Sequence, residues 1–328
     1  MINTILFSKD RAMQADAVLH SFFLHCIDAT TTRIHVLYLP TTERYVHQYE
    51  TLRAAYPSVK FVRQADFQMD MESILDPCQK GSFQERIYAA IGRIGRYRFR
   101  SGSLFEKLRI HTVGRILRLV MEKLMQSISN SDYILFFVDD NLIVRDFSLA
   151  DMTRALENSP DAIGVSLRLG ENTTFCYTRN HTQTLPDFSV MQAGLLKFDW
   201  TVSEYDFGYP LEVSSSLYRT AQLLPLLASF PYLDPNTCER GLSTRRAWFA
   251  KAFPYTLCFN ISVAFCNPVN KVQKVSPGNR AAEIYQYSPE ELAERFDECK
   301  RIDVGVFSGF ISNSCHQEVE LPFIENEP

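Results

Sequence analysis

The sequence predicts one large α/β domain around a mixed, mostly parallel sheet flanked by helices. Residues 4–64 alternate strand, helix, strand, helix, strand, and this order gives parallel strands joined by right-handed crossovers. The apolar run YILFFV at 133–138 is typical of a strand buried on both faces. With 328 residues, 46% of them hydrophobic, the chain is long enough to bury a single large core.

The first strands and helices are predicted from the spacing of hydrophobic residues and from the residues that begin or end each element. Strands are predicted at 4–11, 33–40 and 59–64, and helices at 12–26 and 41–57. Thr42 suits the start of the second helix and Pro57 its end, since Thr accepts from free backbone N–H groups and Pro cannot continue a helix.

The later elements are predicted in the same way. Strands are expected at 133–138, 162–170, 190–200 and 256–265, and helices at 104–126, in the second half of 214–230, within 233–253 and at 288–301. In the last helix Ser288 caps the start, Pro289 occupies the first turn, and Glu290 and Glu291 face the positive end of the helix dipole.

Composition restricts the cellular compartment and the binding partners that we expect for this protein. The start of the chain lacks a secretory pattern, and the eight cysteines have no zinc spacing, so we expect a reduced, cytoplasmic protein. The formal charge of -4 and the absence of a recognisable module argue against nucleic acid. Residues 86–123 carry ten Lys or Arg and two Glu, a local charge of +8. This stretch is either a solvated helix face or a contact for an anionic partner such as the inner face of a membrane.

The residues after the buried strand at 133–138 call for a chemical explanation. Asp139, Asp140 and Asn141 stand at its carboxyl end, the edge where open α/β sheets bind ligands. Adjacent carboxylates there would repel each other and lose hydration. A Mg²⁺ or Mn²⁺ ion bridged to phosphates removes both costs. The alternative is that Asp139 caps the next turn and Asp140 pairs with an arginine.

The ordered motifs resemble those of GT-A fold glycosyltransferases, enzymes that use nucleotide-diphosphate sugars and carry a D-x-D motif. FSKDR follows strand one, and a hydrophobic strand ends in the acidic pair. Further blocks resembling uncharacterised bacterial members follow at 198–219, 234–242, 267–279, 287–303 and 315–321. The likeness therefore covers most of the chain. It implies a nucleotide-sugar-binding half at 1–145 and an acceptor-binding half at 146–328, within one domain.

The resemblance also implies roles for particular residues at the donor end. Asp10 occupies the position that contacts the nucleotide base or ribose, next to Ser8, and Arg11 could touch phosphate. Asp140 is implied as the main Mn²⁺ or Mg²⁺ ligand, with Asp139 holding the ribose. Asn141 departs from D-x-D, although an amide oxygen can still bind the ion, so metal-independent catalysis stays open.

The second half supplies the remaining candidates. His316 is implied as a further metal or phosphate ligand, or is structural. Asn270 and Gln273 could bind diphosphate or acceptor, or stabilise a loop. Trp200 and Tyr209 suit a sugar platform, although buried aromatics are commoner.

Glu239 is predicted as the general base of an inverting transfer. It lies in the first turn of a helix expected to start near Thr237, and it either deprotonates the acceptor hydroxyl or only complements the helix dipole. Asp206 and Asp234 are reserve candidates for the base.

Three functions are compatible with these features. The first is transfer of a sugar, of the hexosyltransferase type, to a glycan or lipid-linked acceptor in surface polysaccharide synthesis. The second is a sugar nucleotidylyltransferase, against which the lack of glycine in FSKDRAMQAD counts. The third is a non-catalytic relative that binds a glycan or partner.

Overall fold

A nine-stranded sheet forms the centre of the computed structural model, which describes residues 1–75, 132–271 and 280–325. The strands are β1 Ile2–Lys9, β2 Thr32–Leu39, β3 Lys60–Arg63, β4 Tyr133–Val138, β5 Asn141–Ile143, β6 Ala162–Ser166, β7 Phe175–Cys176, β8 His181–Thr182, β9 Ser189–Val190, β10 Leu195–Asp199, β11 Ser216–Arg219, β12 Tyr255–Phe259, β13 Ala264–Cys266, β14 Lys300–Ile302 and β15 Phe323–Glu325. The large sheet has the order β3-β2-β1-β4-β11-β6-β12-β10-β9.

The predicted fold class is confirmed. Within the described strands of the large sheet, β11 and β10 run against the direction of all the others, so the sheet is mixed and mostly parallel. The helices are α1 Ala12–His25, α2 Glu43–Ala55, α3 Phe67–Leu75, α4 Leu149–Glu157, α5 Thr220–Leu227, α6 Pro235–Ser243 and α7 Pro289–Asp297.

Helices cover both faces of the sheet because its central strands are apolar on both sides. In β1, Leu6 packs into one hydrophobic cluster, whereas Ile5 and Phe7 pack into a second, as alternation along a strand requires. The first cluster includes residues of α1, α2, α4 and α7, and the second includes residues of α3, α5 and α6. The β4 run is buried on both faces except at half-buried Val138, as predicted.

Both halves of the chain contribute to this one sheet. Residues 1–145 provide β1 to β4, and residues 146–328 provide β6 and β9 to β12. The capping predictions hold, because Thr42 accepts from the Tyr45 N–H and Ser288 accepts from the Glu291 N–H.

Two predicted strands are divided, and several strands, β11 among them, were not predicted. Residues 190–200 contain the end of β9 and all of β10, separated by a 3₁₀ turn at Gln192–Gly194. Residues 256–265 form β12 and β13, in different sheets, because side chains take over the backbone bonds between them. The Asn260 Oδ1 accepts from the Ile261 N–H, and the Asn172 Oδ1 accepts from the Ser262 N–H. The first half of 214–230 contains β11, which sequence spacing did not indicate.

The predicted helix at 104–126 and the whole basic stretch 86–123 lie outside the described residues. Within the described ranges, none of the helices combines the length and apolar character needed to cross a bilayer.

Candidate active site

The acidic pair lies in the turn between β4 and β5, at the edge where β1 also ends. Asp139 is buried and already neutralised there. Its Oδ1 accepts from the Arg11 Nη1 at 2.8 Å, and its Oδ2 accepts from the Lys9 backbone N–H at 3.1 Å. Asp139, rather than Asp140, is therefore the member of the pair that binds an arginine.

Asp140 has a different environment. Its carbonyl accepts from the Asn267 N–H at 2.7 Å, which fixes the backbone. Its side-chain Oδ1 is buried without a hydrogen-bond partner among the described residues. Burial raises the pKa of this carboxyl, while Arg11 and Arg168 act in the opposite direction. A buried carboxylate oxygen without a donor is unusual in a native fold, so Asp140 keeps an open ligand position.

Asn141 is fully buried, and both atoms of its amide are engaged. Its Oδ1 accepts from the Val138 N–H at 2.8 Å, and its Nδ2 donates to the Ser214 Oγ at 3.1 Å and the Cys266 Sγ at 2.9 Å. In this position the amide closes the turn that presents Asp140, so we leave Asn141 out of the proposed ligand set.

The turn after β1 is held by its own polar residues. The Ser8 Oγ and the Tyr49 hydroxyl are 2.5 Å apart, and the same hydroxyl accepts from the Arg11 N–H. Asp10 adopts a left-handed φ of 55° and accepts from both the N–H and the hydroxyl of Thr41. These bonds place Arg11 against Asp139.

We call the group formed by Arg11, Asp139 and Asp140 at the ends of β1 and β4 the donor edge. Asn270 contacts this edge from the second half of the chain. Its carbonyl accepts from the Arg11 Nη2 at 2.9 Å, and its Nδ2 donates to the Gln14 Oε1 at 3.0 Å. Its Oδ1 is buried and has no partner within the described ranges. Asn270 thus supplies a second open oxygen beside Arg11, whereas Gln273 lies outside the described residues.

The described residues at this edge supply only a few ligands for a metal ion. The described parts of the chain contain no group of three or more His, Cys, Asp or Glu that could hold one. Asp140 offers one open carboxylate oxygen and Asn270 one amide oxygen. Hard cations such as Mg²⁺ commonly take one or two protein oxygens and complete their shell with phosphates and water, so this donor set fits an ion that arrives with a diphosphate.

A cavity of about 790 Å³ lies in the second half of the chain. Its charged and titratable lining residues are Arg168, Arg179, Cys176, Tyr205, Asp206, Tyr209, Glu212, Tyr218, Glu239, Arg246, Cys315 and His316. Of the sequence-predicted residues, the structure brings Asp206, Tyr209, Glu239 and His316 together here.

Arg168 and Glu212 form a buried ion pair in the cavity wall. The Arg168 Nη2 donates to the Glu212 Oε2 at 2.6 Å, and each side chain is 8% exposed. Glu212 also accepts from the Ser214 N–H and the Ser216 hydroxyl. Burial, with a smaller contribution from Glu239, raises the pKa of Glu212 to about 7, while Arg168 acts in the opposite direction.

Glu239 is a carboxylate in this cavity with few protein partners. Its Oε2 accepts from the Val213 N–H at 2.9 Å, and the Tyr209 side chain forms a hydrogen bond with the same carboxylate. By contrast, both oxygens of Glu212 are occupied.

The predicted start of this helix was wrong. Asp234 caps α6 by accepting from the Thr237 N–H, and Pro235 is the first helical residue, a position that tolerates proline because its N–H would be free. Glu239 therefore lies in the second turn, where a carboxylate interacts only weakly with the helix dipole. Asp234 is used as the cap.

His316 touches the same arginine. Its Nε2 is 3.3 Å from the Arg168 Nη1, and because a guanidinium can only donate, the Nε2 accepts and the ring proton is on Nδ1. Burial together with Arg168 lowers the pKa of His316 to about 3, so the ring is neutral at physiological pH.

Trp200 is a core residue. It is 4% exposed, packs on Phe249, and its Nε1 donates to the Phe253 carbonyl at 2.7 Å. It is therefore closed to a ligand, whereas Tyr209 lines the cavity.

Sequence reasoning did not single out Arg168 and Glu212. The available signal for Arg168 was a lone arginine inside the apolar segment AIGVSLRLG, since a buried arginine needs an acidic partner. The partner itself, 44 residues away, had no local signature.

Comparison with curated proteins finds one significant sequence match. No family model matches the chain. The bifunctional glycosyltransferase pgtA of Dictyostelium discoideum is 22% identical over 232 residues, which is 66% of this chain and 24% of the relative. The chain is thus similar to part of a glycosyltransferase. The predicted resemblance is confirmed, and the chain spans about a quarter of the curated relative's length.

Solved structures show weaker likenesses. They are the bifunctional glycosyltransferase WbbM (TM-score 0.33, 12% identity, 76% of this chain and 37% of that one), mouse xyloside xylosyltransferase 1 (0.30, 10%, 75% and 82%) and core-mannan synthase A of Aspergillus fumigatus in a Mn/GDP form (0.29, 12%, 89% and 82%). At these TM-scores the likenesses carry no argument.

Proposed function

We propose that this glycosyltransferase relative moves a sugar of the hexosyl type from a nucleotide-diphosphate sugar to a hydroxyl of a glycan or lipid-linked acceptor, with inversion. The observation that carries the proposal is the placement of Glu239. It is a half-buried carboxylate that lines a large cavity and is oriented by the Val213 N–H and the Tyr209 side chain.

Glu239 has the attributes of a general base in such a transfer. A base must lie within hydrogen-bond reach of the acceptor hydroxyl and be ionised before the reaction. The Val213 N–H and the Tyr209 side chain orient this carboxylate, and its remaining lone pairs are proposed to accept the hydroxyl proton.

The donor edge would bind the nucleotide-diphosphate end. Arg11 and Asp139 form a fixed pair at this edge, and Asp140 and Asn270 offer oxygens to a Mn²⁺ or Mg²⁺ ion, which when bound would neutralise the diphosphate as it leaves. The proposed nucleotide-sugar contacts are Ser8, Asp10, Arg11, Asp139 and Asp140, and His316 is proposed to contact phosphate.

The biological setting is proposed on sequence grounds. Synthesis of a surface polysaccharide in the cytoplasm, with 86–123 contacting an anionic membrane surface, suits a lipid-linked acceptor and the +8 charge of that stretch.

A second candidate has one observation in its favour. Arg11 already neutralises Asp139, and Asn141 is used inside the fold, so a single open carboxylate remains at the donor edge. A non-catalytic glycan-binding relative would tolerate that loss. It would bind glycan in the cavity but would neither bind nor consume a nucleotide sugar.

Donor binding separates the two candidates. We expect UDP-, GDP- or dTDP-sugars to raise the melting temperature by a few degrees in the presence of Mn²⁺, since saturating ligand adds about 2–3 kcal/mol of stability. Asp140→Asn should remove the shift, and the exposed Asp187→Asn should retain it. Release of nucleotide diphosphate by the wild type but not by Asp140→Asn supports the enzyme. No shift with any donor refutes it.

A further inference from the structure

The cavity that contains Glu239 has an uneven distribution of charge. Its three carboxylates, at Asp206, Glu212 and Glu239, are buried or half-buried. Its cations other than Arg168 are Arg179 and Arg246, which are both exposed. A lining residue that is exposed lies at the opening, so the cavity is acidic at its inner end and basic at its mouth.

The inner carboxylates are already satisfied by the protein. Glu212 has Arg168 and two further donors, and Asp206 accepts from the Cys176 thiol at 3.4 Å and the Gln183 Nε2 at 3.3 Å. Burial raises the pKa of Asp206, and Arg168 acts in the opposite direction. These groups therefore do not neutralise the two arginines at the mouth.

Arg179 and Arg246 have no carboxylate partner in the described ranges. The ion pairs recorded there involve other arginines. Among the other exposed arginines in the described ranges, Arg44 and Arg154 pair with nearby acids, whereas Arg33 forms no ion pair. Arg179 and Arg246 differ from Arg33 because both line one cavity, and guanidiniums bind planar oxyanions such as carboxylate or phosphate with two parallel hydrogen bonds.

An aromatic residue lies at the same mouth. Tyr205 is 37% exposed and lines the cavity, and its ring stacks on His181 with a centroid distance of 5.4 Å and an interplanar angle of 27°. Its φ of 51° is a left-handed conformation that costs a tyrosine energy. Ring faces of this kind pack against the apolar face of a sugar.

At the inner end, Arg168 completes a polar floor. It is 6% exposed and lines the cavity, and its Nε has no partner within the described chain. This donor can take a neutral acceptor atom such as a sugar hydroxyl oxygen. The inner end of the cavity therefore suits hydroxyl groups, and its opening suits an oxyanion.

We propose that the acceptor is an anionic saccharide: its reacting hydroxyl reaches Glu239, its ring lies against Tyr205, and its carboxylate or phosphate is bound by Arg179 and Arg246. This rests on the proposed function for the identity of the reacting group, but the anion site itself does not. Uronic acids and phosphorylated sugars share the required chemistry.

A glycan array with matched pairs tests the charge requirement without turnover. Each anionic glycan is printed beside its neutral counterpart, carboxyl-reduced for uronates and dephosphorylated for sugar phosphates. We expect binding to anionic members to exceed binding to neutral ones by about tenfold or more, because charge-assisted bonds are roughly twice as strong as neutral ones. The preference should fall as salt rises.

Variants identify the residues and the ligand source. Arg179→Ala with Arg246→Ala should abolish the preference, while the exposed Arg33→Ala, outside the cavity, should retain it. Preference for uronates alone or for phosphates alone names the source. Equal binding of both members of each pair, or no binding to any anionic glycan, overturns the inference.

The outcome is distinguishable from failure of the proposed function. If donor is consumed but array binding ignores charge, the anionic acceptor is wrong and the transferase stands. If array binding depends on charge but no donor is bound, the transferase is wrong and the cavity is an anionic glycan site.

Discussion

The donor edge and the acceptor cavity share one arrangement of buried charge. At the donor edge, Arg11 pairs with Asp139 and the Asn141 amide closes the turn, while the Asp140 Oδ1 has no partner in the described part of the chain. In the cavity, Arg168 pairs with Glu212, while Glu239 is held by the Val213 N–H and the Tyr209 side chain. In each region one acid is paired with an arginine and its neighbour is not.

The two regions differ in how their parts are connected. The donor edge is joined by residues near strand ends, whereas the cavity is joined through one buried guanidinium. Arg168 contacts Glu212, Cys266 and His316, and its charge opposes the raised pKa values of Asp140 and Asp206. Arg168 is thus the positioning residue common to both regions.

Removing Arg168 should have the largest effect on stability. Arg168→Met leaves the Glu212 carboxylate buried without its ion pair, and breaking such a pair from one side costs about 3–5 kcal/mol. Urea unfolding measures the loss. The matched surface variant Arg154→Met, which breaks an exposed pair with Asp151, should cost under about 1 kcal/mol. Equal losses in the two variants would show that Arg168 is not the centre of the cavity.

Replacing both members of the buried pair sharpens that result. Arg168→Met combined with Glu212→Leu removes the unpaired charge together with its partner, so the double variant should be more stable than Arg168→Met alone. A double variant that loses the sum of both single losses would indicate that other contacts, rather than the ion pair, explain the cost.

Asn141→Ala should have a smaller effect at the donor edge. It leaves the buried Val138 N–H without an acceptor, which costs about 1–3 kcal/mol. Because the amide serves the turn, the Mn²⁺-dependent donor shift should survive in the variant at temperatures where it is folded. Loss of that shift in a folded Asn141→Ala protein would return Asn141 to the metal ligands.

The pH dependence of stability gives a signal with a defined sign. The fold raises the pKa of Glu212 from 4.5 to about 7, so between these values the folded state keeps a proton that the unfolded state loses. Stability therefore falls as pH rises through this window, by up to about 3 kcal/mol from this group.

Glu212→Gln should reduce that slope, as followed by unfolding midpoints from pH 5 to pH 7. Glu298→Gln is the control, because Lys300 lowers the pKa of exposed Glu298 and its contribution changes only at more acidic pH. An unchanged slope in Glu212→Gln would mean that Glu212 is ionised throughout the range.

The sequence predicted the donor edge better than the cavity for a physical reason. The strand order β1, β2, β3 and the place of Asp139 and Asp140 follow from local apolar spacing, which one segment contains by itself. The partners of those residues do not. Arg11 and Asp139 lie 128 positions apart, and Arg168 and Glu212 lie 44 apart, so their pairing depends on tertiary packing.

Local rules also failed where two local signals competed. The sequence around Asp234 and Pro235 is a capping signal as strong as that of Thr237, and the structure uses the earlier one. Similarly, Trp200 had the residue type of a sugar platform, but the Phe253 carbonyl and the Phe249 ring satisfy it in the core.

The most direct test of the central claim is the transfer rate of Glu239→Gln with saturating donor and acceptor. Loss of a general base lowers transfer by about 10²- to 10⁴-fold, while the donor-induced rise in melting temperature should remain, since Glu239 lies in the cavity and not at the donor edge. Retention of wild-type transfer by a folded Glu239→Gln protein would contradict the account.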